Sequence, residues 1–432
     1  MHLADEDVSA LEAAARAYSQ SGDLTNAITA MTKLTTLSPQ SWQYALNLAL
    51  ALRKSGQTQE AEHVHRRAAL RFPKEFWVMY HWAESAMHDQ NLALAEQRAL
   101  KLLIILEQIP EDRRATLRGH AAWLLGTLAL KRHAFAEAIL HFTLACAQAP
   151  GDAARAACLR QATRYEKIAA SFDLSPLTSS ALAKAADYGV LVVNLDRDVQ
   201  RFEVMTERFK DSPVTLTRVP GTYGSYLPKV LLRAMNRHAG TLRAGSTGCF
   251  LGHIKAWETM VELNLPVCLI LEDDAAPMLN LPPRFAALGI PDDFDLCFVN
   301  RAMQPELSDE HASEIERFAV FDPIEAFRTR PPTHNAPGGY GYFLSAEGAR
   351  KLLALVAQNG FSGDVDWVLC IYGMAKGAAE ILPEDSTARH VFKSSENFKG
   401  ERLRAYTLYP SLIEHVYVSS EREIEDAALN RV

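Results

Sequence analysis

The chain has 432 residues, more than one hydrophobic core of ordinary size accommodates, so two domains or three are expected. Hydrophobic residues make up 48% and charged residues 22%, which excludes wholesale disorder. With 45 basic against 52 acidic residues the net charge is -7, which gives no support to a nucleic-acid or anionic-membrane surface.

The chain opens MHLADEDVSALEAAARAY, acidic and without an apolar h-region, so no secretory signal is expected. No window of 18 apolar residues occurs, so no membrane span is expected. The six cysteines form no CxxC pair, and most sit in apolar runs such as Val267-Cys268-Leu269. Buried thiols in a reducing compartment, the cytoplasm, are the expectation.

Residues 1–171 carry an almost continuous helical period. Gly22 and Gly56 are 34 apart, as are Pro39 and Pro73, and Ala27, Ala61 and Ala95 keep the same spacing, with Ala138 after a longer unit. Around them the text recurs as SGDLTNAITAMTKLTTLSP, SGQTQEAEHVHRRAALRFP, DQNLALAEQRALKLLIILEQIP and KRHAFAEAILHFTLACAQAP. A helix–turn–helix unit explains the spacing: Gly or Asn supplies the turn, Ala the close helix contact, Pro the stop. A closing helix is expected near 153–169, and His63 and His65 read as exposed polar residues.

A Ser-, Thr- and Ala-rich linker (172–187) follows, and the period becomes mixed in 188–432. GVLVVN (189–194), PVCLIL (266–271) and FDLCFVN (294–300) read as buried strands, with further strands at 214–219 and 340–344. Helices are expected at 198–210, 247–263 (capped by Ser246 or Thr247), 346–358 and 366–374. Strands alternating with helices imply a mainly parallel sheet covered on both faces. The expected fold class is therefore an all-α helical-repeat solenoid followed by an α/β domain.

The chemistry concentrates where the apolar strand 269–271 runs directly into Glu272, Asp273 and Asp274. Ligands of open α/β sheets bind beyond the carboxyl ends of strands. Adjacent carboxylates repel, and a hard divalent cation with oxygen ligands compensates them. The plain alternative is an acidic surface turn with Asp274 capping the next segment.

The repeats of the first half resemble the tetratricopeptide repeat, over about four units. Such stacks present a concave face to a partner protein or to another copy of the chain. In the second half four segments occur in order: VVNLDRDVQRF (192–202), GCFLGHIKAW (248–257), LILEDD (269–274), and GGYGYFLSAEGARKLL (338–353) followed by DVDW (364–367). Together they resemble glycosyltransferase family 25, the lipopolysaccharide-type galactosyl- and glucosyltransferases, over residues 188 to near 417. The resemblance implies a GT-A-like fold, a UDP-sugar donor, a saccharide or protein acceptor, and inverting hexose transfer assisted by Mn2+ or Mg2+. It implies Glu272 and Asp274 as metal ligands. Asn194, Leu195, Asp196, Arg201, His253, Asp273 and Lys393 are the expected donor-binding residues, with His390 and Ser394 beside Lys393. The base expected to take the acceptor's proton is Asp366, or else Asp364, both of which also suit a helix N-terminus. His253, on an apolar helix face, reads as a core residue or as one positioning the acidic loop, and Gly338-Gly339-Tyr340 as a substrate loop or a plain turn. Family members commonly carry Ser where Gly252 stands. A scaffold that binds nucleotide-sugar or glycan without turnover is the alternative; a nucleotidyltransferase would show glycine near its first strand, and VVNLDRD has none.

Overall fold

The computed structural model describes residues 2–171, 186–230, 232, 243–331, 336–360 and 364–416. Contacts divide the chain into two compact units, Met1–Glu166 and Lys167–Val432. The expected linker lies outside the described residues except for positions 186 and 187.

The first unit is helical among its described residues: α1 (His2–Ser21), α2 (Leu24–Leu37), α3 (Trp42–Lys54), α4 (Thr58–Arg71), α5 (Phe76–His88), α6 (Leu92–Leu106), α7 (Glu111–Lys131), α8 (Phe135–Gln148) and α9 (Ala153–Ser171), the last running past the division between the units. The helices pack in successive pairs, α1 with α2 through α7 with α8. Ala27, Ala61, Ala95 and Ala138 are all completely buried, as small residues between packed helices should be. The turns repeat in backbone as well as in sequence. Gly22 and Gly56 adopt left-handed φ of 77° and 81°, and the equivalent turns use Gln90 (59°) and His133 (58°). In the third of these turns Asn91 follows Gln90 and caps α6, its side chain accepting from the Leu94 amide at 3.1 Å. A correction concerns His65. It is 5% exposed, and burial pushes its imidazole down to about 4, so it is a neutral core residue; His63 alone is exposed.

The second unit is an α/β domain. Its seven-stranded sheet has the order β2-β1-β3-β7-β5-β8-β6. The strands are β1 (Gly189–Asn194), β2 (Leu216–Pro220), β3 (Val267–Glu272), β5 (Leu296–Phe298), β6 (Ala319–Phe321), β7 (Gly341–Ser345) and β8 (Ala405–Tyr409), with β4 (Ala275–Pro277) and β9 (Ile413–His415) forming a separate antiparallel pair. β2, β1, β3, β5 and β8 run one way, while β7 and β6 run against them. The continuous apolar character of β3 is explained by burial on both faces. Cys268 and Ile270 join one core with Phe250, Trp257 and Leu352, while Leu269 and Leu271 join another with Val190, Met205 and Phe343.

Helices α10 (Val199–Arg208), α11 (Ala244–Glu262), α12 (Asp309–Glu314), α13 (Ile324–Thr329), α14 (Ala346–Asn359), α15 (Val365–Gly373) and α16 (Thr387–Ser394) complete the domain. α11 begins three residues earlier than expected. Ser246 and Thr247 lie inside it, buried, and Thr247 Oγ1 donates back to the Arg243 carbonyl at 2.7 Å instead of capping the helix. That start is set by backbone packing: a Cβ at Gly224 would lie 1.6 Å from the Ala244 carbonyl oxygen, and one at Gly248 would lie 2.4 Å from that of Thr222.

Candidate active site

Register places the acidic turn beside the end of β1. Val193 pairs with Glu272 across the parallel β1–β3 ladder, so Asn194 and Asp273 emerge side by side at the carboxyl edge of the sheet. Asn194 is 2% exposed. Its Nδ2 donates to Asp273 Oδ2 at 2.8 Å and to the Asp198 carbonyl at 3.0 Å, and its Oδ1 accepts from Arg218 Nε at 2.7 Å. Arg218 also pairs with Asp196, which is exposed. Leu195 is half-buried and covers Gly221, where a Cβ would meet its Cδ2 at 2.9 Å.

The acids are compensated from two sides. Arg201 of α10 places one nitrogen 2.7 Å from Asp273 Oδ1 and 3.2 Å from Asp274 Oδ2. His415 of β9 sits 3.1 Å from the same Asp274 oxygen. Burial pushes the Asp273 carboxyl up to about 6; Arg201 and Asn194 pull against it, and its two acidic neighbours add to it. Burial acts on Asp274 as well, but the His415 contact and Arg201 outweigh it and hold the carboxyl below the ordinary range. His415 is raised in turn, first by its bond to Asp274.

Glu272 faces another group. His253 of α11, completely buried, lies with Nε2 3.5 Å from Glu272 Oε1. His253 Nδ1 is 2.9 Å from Tyr342 Oη, which also accepts from Trp257 Nε1 at 2.8 Å. Gly339 joins Glu272 to the start of α15: a Cβ there would lie 2.6 Å from Asp366 Oδ1 and 3.6 Å from Glu272 Oε1. The Gly338–Tyr340 loop is held by Asn300, completely buried at the end of β5, whose Nδ2 donates to the carbonyls of Gly338 at 2.7 Å and Gly341 at 2.9 Å. Tyr340 packs its ring 5.3 Å from that of His415.

The structure therefore brings together Asn194, Arg201, Asp273 and Asp274, and, through Gly339, Glu272 and Asp366. Asp364 precedes α15 and pairs with Arg243 at 3.0 Å. Lys393 is exposed on α16, and among the described residues no ion pair joins it to the acids. Gly252 has a structural reason: a Cβ there would lie 2.6 Å from Val193 Cγ1, so α11 rests directly on β1. Sequence reasoning did not single out Asn300, Tyr342 or His415. Asn300 lay at the end of an expected strand, as Asn194 did, and that position was the available signal.

In open α/β sheets ligands bind beyond the carboxyl ends of the strands, which is where these carboxylates cluster. The sequence model described as Glycosyltransferase family 25 (LPS biosynthesis protein) matches residues 188–367, all within the second unit. Procollagen galactosyltransferase 1-B of Xenopus laevis is 24% identical over 250 residues, 54% of this chain and 36% of that protein. A glycosyltransferase 25 family member of Drosophila pseudoobscura pseudoobscura is 26% identical over 259 residues, 54% of this chain and 35% of that protein. The chain thus spans about a third of the length of these relatives. A structure described as a functional characterization of Pseudomonas aeruginosa pilF aligns with a TM-score of 0.33 at 18% identity, covering 38% of this chain and 71% of that one. No helix of the described residues is long and apolar enough to cross a membrane.

Proposed function

We propose that the second unit, read as a GT-A-like domain, moves a hexose, galactose or glucose, from a UDP-sugar to a hydroxyl of a saccharide or protein acceptor with inversion. The observation that carries the reading is the convergence of Glu272 and Asp366 on Gly339, beside the Asn194–Asp273 pair. Asp366 is the proposed base. It takes the acceptor hydroxyl's proton as that oxygen bonds to the anomeric carbon, and the bond from that carbon to the UDP oxygen breaks. Asp364 is the weaker choice because Arg243 already engages it. Asn194, Arg201 and Arg218 would orient the donor at the β1 end, with Leu195 and Asp196 lining it.

The donor set suits a hard cation, Mn2+ or Mg2+: its groups are carboxylates, and Asp274 Oδ1 is buried without a hydrogen-bond donor. Glu272 and Asp274 would hold it, and when bound it would supply charge stabilisation to the leaving diphosphate. Measurement of UDP release with and without manganese tests this, comparing the wild type with Asp274→Asn. Undiminished release by the variant would remove Asp274 from the cation site. A second reading, donor or glycan binding without turnover, draws on Arg201 already compensating Asp273 and Asp274; UDP-sugar binding without release over a broad acceptor panel would favour it.

The paired helices of the first unit are proposed to engage a partner protein, the protein acceptor or a second copy of the chain. Cytoplasmic placement is supported by the six cysteines, none of which is in a disulfide.

A further inference from the structure

We infer that His253 is a positioning residue held in a single tautomer by Trp257 and Tyr342, so that its Nε2–H always faces Glu272. The inference rests on the transfer reading for its consequence, though not for its geometry. Indole nitrogen can only donate, so the 2.8 Å contact makes Tyr342 Oη an acceptor from Trp257. The Tyr342 hydroxyl is completely buried and must place its own proton. His253 Nδ1, 2.9 Å away, is the acceptor the contacts offer. A neutral ring that accepts at Nδ1 carries its proton on Nε2. That proton points into the space shared with Glu272 Oε1, 3.5 Å off, longer than a formed hydrogen bond and with no other partner for Nε2.

The consequence falls on Glu272. The carboxylate faces an N–H whose direction is fixed, near enough to close into a hydrogen bond when the turn is loaded, while its own charge remains available to a cation. It also faces Gly339, where a Cβ would lie 3.6 Å from Glu272 Oε1 and 2.6 Å from Asp366 Oδ1. The helix thus sets the angle of the first acid in the turn from below, as outer groups do for metal-binding carboxylates.

One competing occupant is visible. Cys249 Sγ, a His253 ring nitrogen and a Glu272 oxygen lie within 4.8 Å of one another, a spacing a thiolate-binding ion could use, and Nε2 is the nitrogen that faces Glu272. Binding there needs a bare Nε2 and a proton on Nδ1. Tyr342 would then accept twice and strand its own hydroxyl proton, so the geometry favours the positioning role.

The test uses the full chain labelled with 15N-histidine, with His253 assigned by difference from His253→Gln. The expected spectrum shows Nδ1 unprotonated and Nε2 protonated, and Tyr342→Phe, which removes the proton source, redistributes the tautomers. For transfer, His253→Leu is expected to raise the manganese concentration for half-maximal UDP release by about 10- to 100-fold with acceptor KM unchanged. His253→Gln, which can return an N–H toward Glu272, is expected to recover much of that loss. A protonated Nδ1, or stoichiometric zinc in the purified protein that is lost in Cys249→Ser, overturns the assignment. An unchanged manganese requirement in a folded His253→Leu protein overturns the positioning role. Absence of UDP release by the wild type would refute the transfer reading alone, since the spectrum is read without turnover.

Discussion

Arg201→Met removes the guanidinium while keeping most of the apolar stem. Arg201 is 22% exposed in its side chain, and its acidic partners Asp273 and Asp274 are 11% and 15% exposed. Breaking a buried ion pair from one side leaves an uncompensated charge and costs about 3–5 kcal/mol. Here His415 remains on Asp274 and Asn194 remains on Asp273, so the lower end applies, about 3 kcal/mol. For a unit of this size that is a fall of about 6–12 °C in the midpoint of its thermal transition. The loss has a pH signature. Asp273 already titrates at about 6 in the fold, above its ordinary value, and removing Arg201 raises it further. A folded value above the unfolded one means that the penalty develops as pH rises through the folded value and vanishes where both states are protonated. Asp274, held below its ordinary value partly by Arg201, is ionised at both pH 5 and pH 8, so its share of the loss is the same at each; calorimetry should therefore show a deficit at pH 5 that grows at pH 8 by the Asp273 share. The same substitution in an Asp273→Asn, Asp274→Asn background should cost little. An equal deficit at both pH values, or one below about 1 kcal/mol at pH 8, would refute the idea that Arg201 exists to hold these two charges.

Three further outcomes are expected. Gly339→Ala should lower UDP release by at least about tenfold while moving the melting midpoint only slightly, because the added methyl displaces Asp366 Oδ1, the mobile end of a short side chain, from 2.6 Å. Gly224→Ala should leave little folded second unit, read as loss of its calorimetric transition, since its Cβ would meet a carbonyl oxygen at 1.6 Å. His415→Asn should destabilise most at about pH 5–6 and least near pH 9, in urea titrations. His415 is raised and Asp274 lowered; the first contribution is complete below 6.5 and fades as pH rises, while the second is complete above 3.8 and fades as pH falls. A difference that grows toward pH 9 would refute the pair.

Long elements with unmixed periods were legible in the sequence. The repeat was written in Ala27, Ala61 and Ala95, and the buried strand in PVCLIL, because burial on both faces admits no alternation. The acid turn after that strand was visible for the same reason. Short pieces were not: β4, β6, β8 and β9 are three to five residues long, and pairing with strands far away in sequence is what fixes them. The start of α11 escaped because it is set by the approach of two backbones at Gly224 rather than by a capping side chain. His415 escaped because nothing local marks it; it becomes part of the site through β9 pairing with β4, immediately after the acids.

That last pairing has a consequence for assembly. The Val416 amide donates to the Asp274 carbonyl at 2.9 Å, and Met278 donates to Leu412 at 2.7 Å, so the turn bearing the acids is clamped by chain more than 130 residues downstream. A polypeptide emerging from the ribosome holds every carboxylate long before it holds the clamp, and contacts of such separation are slow to close. Competence would arrive late and all at once, and a fragment ending at residue 367 would carry the acids without the strand that fastens them.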